Sequence, residues 1–187
     1  MLVAIFRDRR DAGRRLAAAL APYCERRPIV LALPRGGVPV GFDVAKALAA
    51  PLDVLLVRKI GAPGHEELGL GAVVDGHDPQ LVLNEDLIRA VAPPAGYIEA
   101  EEQRQLAEIE RRRQEYVGDR SPVAVEGRTL IVVDDGIATG VTVKAALRGL
   151  ARNHPARLVL AVPVAPPDSC PISFERSSRT FETSTEA

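Results

Sequence analysis

Two adjacent carboxylates, Asp134 and Asp135, follow the apolar run Leu130-Ile-Val-Val133 and precede Gly136-Ile137-Ala138-Thr139-Gly140-Val141-Thr142. A buried strand that delivers two acids to its C-terminal end puts them where parallel sheets bind ligands. The glycines of the next turn let backbone N–H groups approach an anion closely, and Thr139 and Thr142 add hydroxyl donors. The following helix directs its N-terminus at the same point. Acids beside a phosphate cradle would repel the ligand unless they face something else, and vicinal sugar hydroxyls are suitable donors for them. The spacing therefore fits a sugar phosphate. A plain strand-turn-helix with Asp135 as N-cap is the simpler alternative, but a cap needs only one carboxylate. A nucleotide P-loop is excluded because no Gly-Lys-Ser/Thr ends the turn, and a dinucleotide fingerprint because no G-x-G-x-x-G occurs there.

Candidate cations lie elsewhere in the chain. Arg35, in Pro34-Arg35-Gly36-Gly37, sets a fork-shaped guanidinium in a Gly-Gly turn, which suits a pyrophosphate. A surface arginine in a turn is the plainer reading. Arg58 and Lys59 end an apolar run, where solvated cations are also common. His65 with Glu66 offers proton transfer, although a solvated loop pair accounts for both, and His77 and His154 read as turn or surface residues. Aromatic residues make up 4% of the chain and Trp is absent, so few rings are available to stack on a base.

The elements that must position these groups alternate. Asp8 and Asp11 open a helix continued by residues 12–23, with a stripe at Leu16, Ala19, Leu20 and Tyr23. Residues 29–33 form an apolar run that predicts a strand buried on both faces. A helix follows over 38–50 and a second strand over 52–60. Residues 61–69 read as a loop, with short strands at 71–74 and 81–83. Asn84 caps a brief helix over 85–90 that Pro93-Pro94 ends. Residues 97–116 read as a long, mostly wet helix with a thin stripe of Ile98, Leu106, Ile109 and Tyr116, supported by Glu108 and Arg112 at i,i+4. Strands at 129–133 and 157–164 flank a helix over 141–152. The pattern predicts an α/β fold: a doubly wound, mainly parallel sheet. Residues 1–170 are expected to form one domain, with 62–118 as an inserted lid or hood and 171–187 as a disordered tail.

The balance of 24 basic and 25 acidic residues in 187 argues against a nucleic-acid binder working through bulk charge. Cys24 and Cys170 match no metal-ligand spacing and fit a reduced protein. The apolar start Met1–Phe6 meets Arg7-Asp-Arg-Arg10 at once, in the wrong order for a signal peptide. No apolar window is long enough for a membrane helix. A cytoplasmic chain with neither nucleic acid nor membrane as partner is expected.

Val132-Val-Asp-Asp-Gly-Ile-Ala-Thr-Gly-Val-Thr142 resembles the signature of type I phosphoribosyltransferases for 5-phosphoribosyl-1-pyrophosphate (PRPP). Pro34-Arg-Gly-Gly37 looks like that family's pyrophosphate loop, and Arg58-Lys59 like the basic pair before its mobile catalytic loop. The resemblance implies that Asp134 and Asp135 hold the ribose hydroxyls and that residues 136–142 hold the 5′-phosphate. Arg35, Gly36, Gly37 and Arg58 would then contact the pyrophosphate side. Arg35 and Lys59 would assist catalysis by neutralising the leaving group, under a loop over 61–69 that closes. It further implies Mg²⁺ as cofactor, with Asp134 and Asp135 reaching it through water, and a small-molecule acceptor as second substrate. A homodimer is compatible with it. Phe6-Arg-Asp-Arg9, Leu33-Pro-Arg-Gly-Gly-Val-Pro-Val-Gly41 and Val57-Arg-Lys-Ile-Gly-Ala-Pro-Gly64 are similar to a narrower bacterial set with no assigned acceptor.

Two departures bear on the chemistry. The family's 6-oxopurine enzymes carry an acid where this chain has Ala138, so that position supplies no general base. Related chains continue past Pro163-Val-Ala-Pro-Pro-Asp168 with a helix and strand that are not evident here. Besides a transferase, the sequence admits a non-catalytic PRPP-binding regulator and an interaction module using the helix over 97–116.

Overall fold

The computed structural model describes residues 6–137, 140–165 and 181–184. These fall into two compact units, one of Met1–Val54, Val125–Gly140 and His154–Ala187, the other of Leu55–Ala124 and Val141–Asn153.

In the first unit, helix α1 (Arg9–Ala19) starts where Asp8 caps it, the Asp8 carboxylate accepting from the Asp11 N–H at 2.8 Å. The helix stops earlier than its periodicity suggests. Pro22 has no N–H to continue the ladder, and a 3₁₀ turn, Ala21–Arg26, takes over. Strand β1 (Ile29–Ala32) is buried at every position, as expected of a parallel strand covered on both faces. Helix α2 (Gly37–Ala47) and strand β2 (Leu52–Val54) follow, and later β6 (Thr129–Val133), β7 (Arg157–Ala161) and β8 (Phe181–Ser184). Among the described residues the strands order as β2-β1-β6-β7-β8, all pairs parallel. Leu16, Ala17 and Leu20 of α1 and Val40, Val44 and Ala45 of α2 pack with Val30, Ile131, Val133 and Val159 of the sheet. Each fully buried Leu, Ile or Val side chain among these contributes about 1.5–3 kcal/mol.

In the second unit, β3 (Val57–Ala62), β4 (His65–Val74) and β5 (Gln80–Leu83) form an antiparallel sheet. Helices α3 (Glu85–Val91) and α4 (Tyr97–Val117) cover Leu56, Ile60, Leu70 and Val73 through residues including Leu87, Ile98, Leu106 and Ile109. Helix α5 (Val141–Arg152) belongs to this unit.

The main expectation holds: the fold is α/β with a parallel sheet. The middle of the chain differs in three ways. Residues 52–60 are not one strand: β2 lies in the parallel sheet and β3 in the antiparallel one. Leu55 and Leu56 between them are only 2% and 3% exposed, and the apolar run Val54-Leu-Leu-Val57 crosses the change of sheet without a break. Residues 61–69 are not an open loop, because Ala62 pairs with His65 across a Pro63-Gly64 turn and the hairpin continues into β4. The second unit is also wider than the expected 62–118 insertion. Of the tail over 171–187, only Phe181–Ser184 falls within the described residues, and it pairs with β7 as a strand. The other tail positions lie outside them.

Candidate functional site

Strands β1 and β6 are neighbours in register, Ala32 opposite Val133, and the Leu33 N–H donates to the Val133 carbonyl at 2.9 Å. The chain leaves β1 toward β2 on one side and leaves β6 toward β7 on the other. This makes the β1–β6 edge a topological switch point, where open parallel sheets hold their ligands. Pro34-Arg35-Gly36-Gly37 and Asp134-Asp135 emerge there side by side.

The two turns touch. A Cβ on Gly36 would overlap the Asp135 carboxylate, and one on Gly37 would sit 2.6 Å from the Val133 carbonyl and 2.9 Å from Asp134 Cα. Gly37 requires glycine because backbone of the neighbouring strand end occupies the space, whereas at Gly36 the obstacle is the Asp135 side chain. The Pro34–Arg35 peptide is cis, and Arg35 is exposed. Gly140 has φ 70°, a left-handed conformation that favours glycine. Among the described residues, a Cβ at Gly136 would meet only the Val164 carbonyl, at 3.5 Å, and the Val164 side chain beyond it. The Ile137 N–H donates to that carbonyl at 3.0 Å, fixing the start of the turn. Val141 and Thr142 begin α5. Ala138 and Thr139, expected in the phosphate loop, lie outside the described residues.

The acids are not equivalent. Asp134 Oδ1 accepts from the Asp135 backbone N–H at 2.8 Å, so this side chain also shapes its own turn. Burial pushes the Asp134 carboxyl up to about 6, with the Asp135 charge adding to the rise and the Asp135 N–H opposing it. Asp135 Oδ2 accepts from Arg9 Nε at 2.8 Å and lies 2.8 Å from an Arg9 terminal nitrogen. Arg9 stands in the Phe6-Arg-Asp-Arg9 motif, yet spacing alone does not tie it to the acids 126 residues away. The available signal is its place on α1. As the first helical residue it sets a cation at the positive end of the helix dipole, an unfavourable position unless an acid lies opposite.

Arg58 and Lys59 belong to the second unit and lie within β3, opposite Val73 and Ala72, rather than at the end of a parallel strand. Arg58 Nε donates to Gln105 Oε1 at 3.0 Å, and Lys59 Nζ lies 3.1 Å from Glu67 Oε2. Both line a cleft of about 640 Å³ with Glu66, Tyr97, Glu101 and Arg104. The Tyr97 hydroxyl donates to the Gly61 carbonyl at 3.0 Å. Of the stripe expected on α4, Tyr116 is 39% exposed. Gln105 and Arg113 are buried instead, with Arg113 Nη1 donating to buried Asp75 at 2.8 Å. Their i,i+4 spacing from Ile109 marks them as core-facing once their polarity is set aside.

No cluster of three or more His, Cys, Asp or Glu side chains fit to hold a metal occurs among the described residues. Two acids on one turn form no all-protein cage. They suit an ion such as Mg²⁺ that keeps its waters and shares a phosphate ligand.

The parallel sheet, with its acid-bearing turn at the switch point, is the type I phosphoribosyltransferase fold. A purine phosphoribosyltransferase from Pyrococcus horikoshii shares that fold at TM-score 0.50 and 14% identity, over 93% of this chain and 84% of that one. The chain belongs to the phosphoribosyl transferase domain family, whose model matches residues 7–173. It is 44% identical to the protein TT1426 from Thermus thermophilus, with TM-score 0.76 over 95% of this chain and 84% of that one. It is 50% identical over 165 residues to proteins from two strains of Mycobacterium tuberculosis provisionally described as phosphoribosyl transferases. That match covers 88% of this chain but only 37% of the relatives' length. No helix among the described residues is long and apolar enough to cross a membrane.

Proposed function

We propose that the chain binds PRPP and transfers its phosphoribosyl group to a small-molecule acceptor. The bond from C1′ to the pyrophosphate oxygen breaks, a bond from C1′ to the acceptor nucleophile forms with inversion, and the nucleophile gives up its proton. The contact of the Asp135 carboxylate with Gly36 carries this reading. It joins a group suited to sugar hydroxyls to a turn suited to pyrophosphate, on adjacent strands that burial holds in register.

In this reading Asp134 and Asp135 accept from the ribose hydroxyls, and the backbone from Gly136 to Gly140, with Thr142, holds the 5′-phosphate. Gly36 and Gly37 admit the pyrophosphate beside Arg35. Arg58 and Lys59 supply further positive charge for the leaving group. Positioning and charge stabilisation then do most of the catalytic work. Mg²⁺, held by Asp134 and Asp135 through water, would screen the charge of the pyrophosphate. The chain acts in the cytoplasm, and a homodimer is its expected assembly.

Calorimetry of the whole chain with magnesium PRPP tests the binding half, with Asp135→Asn as control. Binding by wild type and at least tenfold weaker binding by the variant are expected, since a charged hydrogen-bond acceptor is lost. A folded wild-type sample that gives neither heat nor a thermal shift would sink the reading. Pyrophosphate release across a panel of nucleobases and small amines tests the transfer half. PRPP binding with no release from any acceptor would favour the regulator instead.

A further inference from the structure

Arg9 sits on a fixed base. Gly13, one turn along α1, lies so close to α2 that a Cβ would be 2.9 Å from the Val40 carbonyl. Arg10 grips buried Asp43 with two nitrogens, at 2.7 and 3.1 Å. Leu16, Ala17 and Leu20 seat the rest of the helix in the core. The N-terminus of α1 is therefore held in place, whereas the Arg9 side chain is 60% exposed and has Asp135 as its one partner among the described residues. A seated helix start carrying an exposed guanidinium beside Asp135 is the arrangement of a ligand-responsive arm.

The geometry points to Arg9 as a further PRPP-binding residue that exchanges Asp135 for the pyrophosphate when the ligand enters. This inference rests on the PRPP reading above. Asp135 Oδ2 is the shared atom: Arg9 holds it, and it also lies against Gly36 of the pyrophosphate turn. A ligand whose hydroxyl claims that oxygen displaces the guanidinium. The same ligand brings a diphosphate to Gly36, within the reach of the released side chain, and a guanidinium pairs with phosphate oxygens through two parallel hydrogen bonds. Without a diphosphate the displaced arm gains nothing, so ribose 5-phosphate has to compete with it. Arg9 thereby discriminates for the pyrophosphorylated sugar over its hydrolysis product.

The two ligands consequently respond to Arg9 in opposite directions. Calorimetry on the full chain uses three probes: magnesium PRPP, magnesium pyrophosphate and ribose 5-phosphate. For Arg9→Gln, PRPP and pyrophosphate are expected to bind about tenfold more weakly, the loss of a charge-assisted pair. Ribose 5-phosphate is expected to bind about two- to fivefold more tightly, because an exposed ion pair no longer competes. Arg9→Lys is expected to restore part of the pyrophosphate affinity. Asp135→Asn is expected to lose ribose 5-phosphate while keeping pyrophosphate, whose cation is now released. Equal weakening of all three ligands by Arg9→Gln, or no change in any, would overturn the exchange. If wild type binds none of the probes, the PRPP reading itself fails.

Discussion

The two units place their charged groups by different means. In the parallel-sheet unit, backbone sets the acids. β6 is buried from end to end, its register with β1 is fixed by paired residues, and Gly36 and Gly37 press directly on the strand end. In the antiparallel unit, side-chain partners place the cations, from Arg58 with Gln105 to Lys59 with a Glu67 that is 99% exposed. Groups fixed by buried backbone cost little to keep in one geometry. A group held by an exposed partner, as Lys59 is by Glu67, keeps rotamer freedom and can change partner.

The largest effect is expected where the second unit departs from this rule. Arg113 and Asp75 have side chains only 5% and 4% exposed, so Arg113→Leu takes the guanidinium away from a buried carboxylate. A loss of about 3–5 kcal/mol in urea denaturation is expected. Full recovery of that loss in Arg113→Leu/Asp75→Leu would show the pair to be replaceable, and equal instability of the double variant would show it to be needed.

Next come the glycines that separate fold from ligand in the first unit. Gly37→Ala forces backbone to shift and is expected to cost about 1–3 kcal/mol of stability. Gly36→Ala collides only with the Asp135 side chain, so its thermal midpoint should stay near wild type while PRPP affinity falls at least tenfold, a charged contact being misplaced. Similar destabilisation by both would erase the distinction between them.

A smaller effect follows from the Asp134 carboxyl. Its value near 6 in the folded chain exceeds that of an unfolded aspartate, so the native state binds this proton more tightly. The associated stability is fully present below about pH 4 and is lost as the pH rises through about 6. Thermal midpoints of wild type should therefore fall over that window relative to Asp134→Asn. PRPP affinity should rise over the same window, because hydroxyl donors need the ionised form. Parallel midpoint curves for the two proteins would refute the assignment.

The smallest structural effect belongs to the Lys59–Glu67 pair. Glu67→Ala should shift the thermal midpoint by less than about 2 °C, since such exposed pairs contribute little. Lys59→Ala should leave the fold equally intact yet slow pyrophosphate release by about 100–1,000-fold, the usual scale for losing one charge-stabilising group. Unchanged release would remove Lys59 from the chemistry and leave the contrast between the two units without a functional meaning.

Short-range chemistry made the first unit legible. Continuous aliphatic runs at 29–33 and 130–133 specify strands buried on both faces, and Asp134-Asp135 with the glycines beyond them points to a ligand preference within a dozen residues. The second unit was less legible because its decisive contacts are long-range or polar. The run Val54-Leu-Leu-Val57 stays apolar across the change of sheets, and nothing in its periodicity marks the break. Residues 61–69 carry the glycines and charges of an open loop, but β4 pairs with β3 and makes a hairpin of them. Arg113 and Gln105 read as surface residues until Asp75 and Arg58 are known to face them.

The amino-acid order by itself settled the parallel α/β fold and the acid pair at the end of β6, because burial and turn chemistry act between near neighbours. Only the tertiary structure decided that Gly36 meets Asp135 and that Arg9 reaches the same carboxylate, from α1 at the opposite end of the sequence. Strand order and helix docking set those meetings, and both are properties of the whole packed unit, which no local pattern encodes.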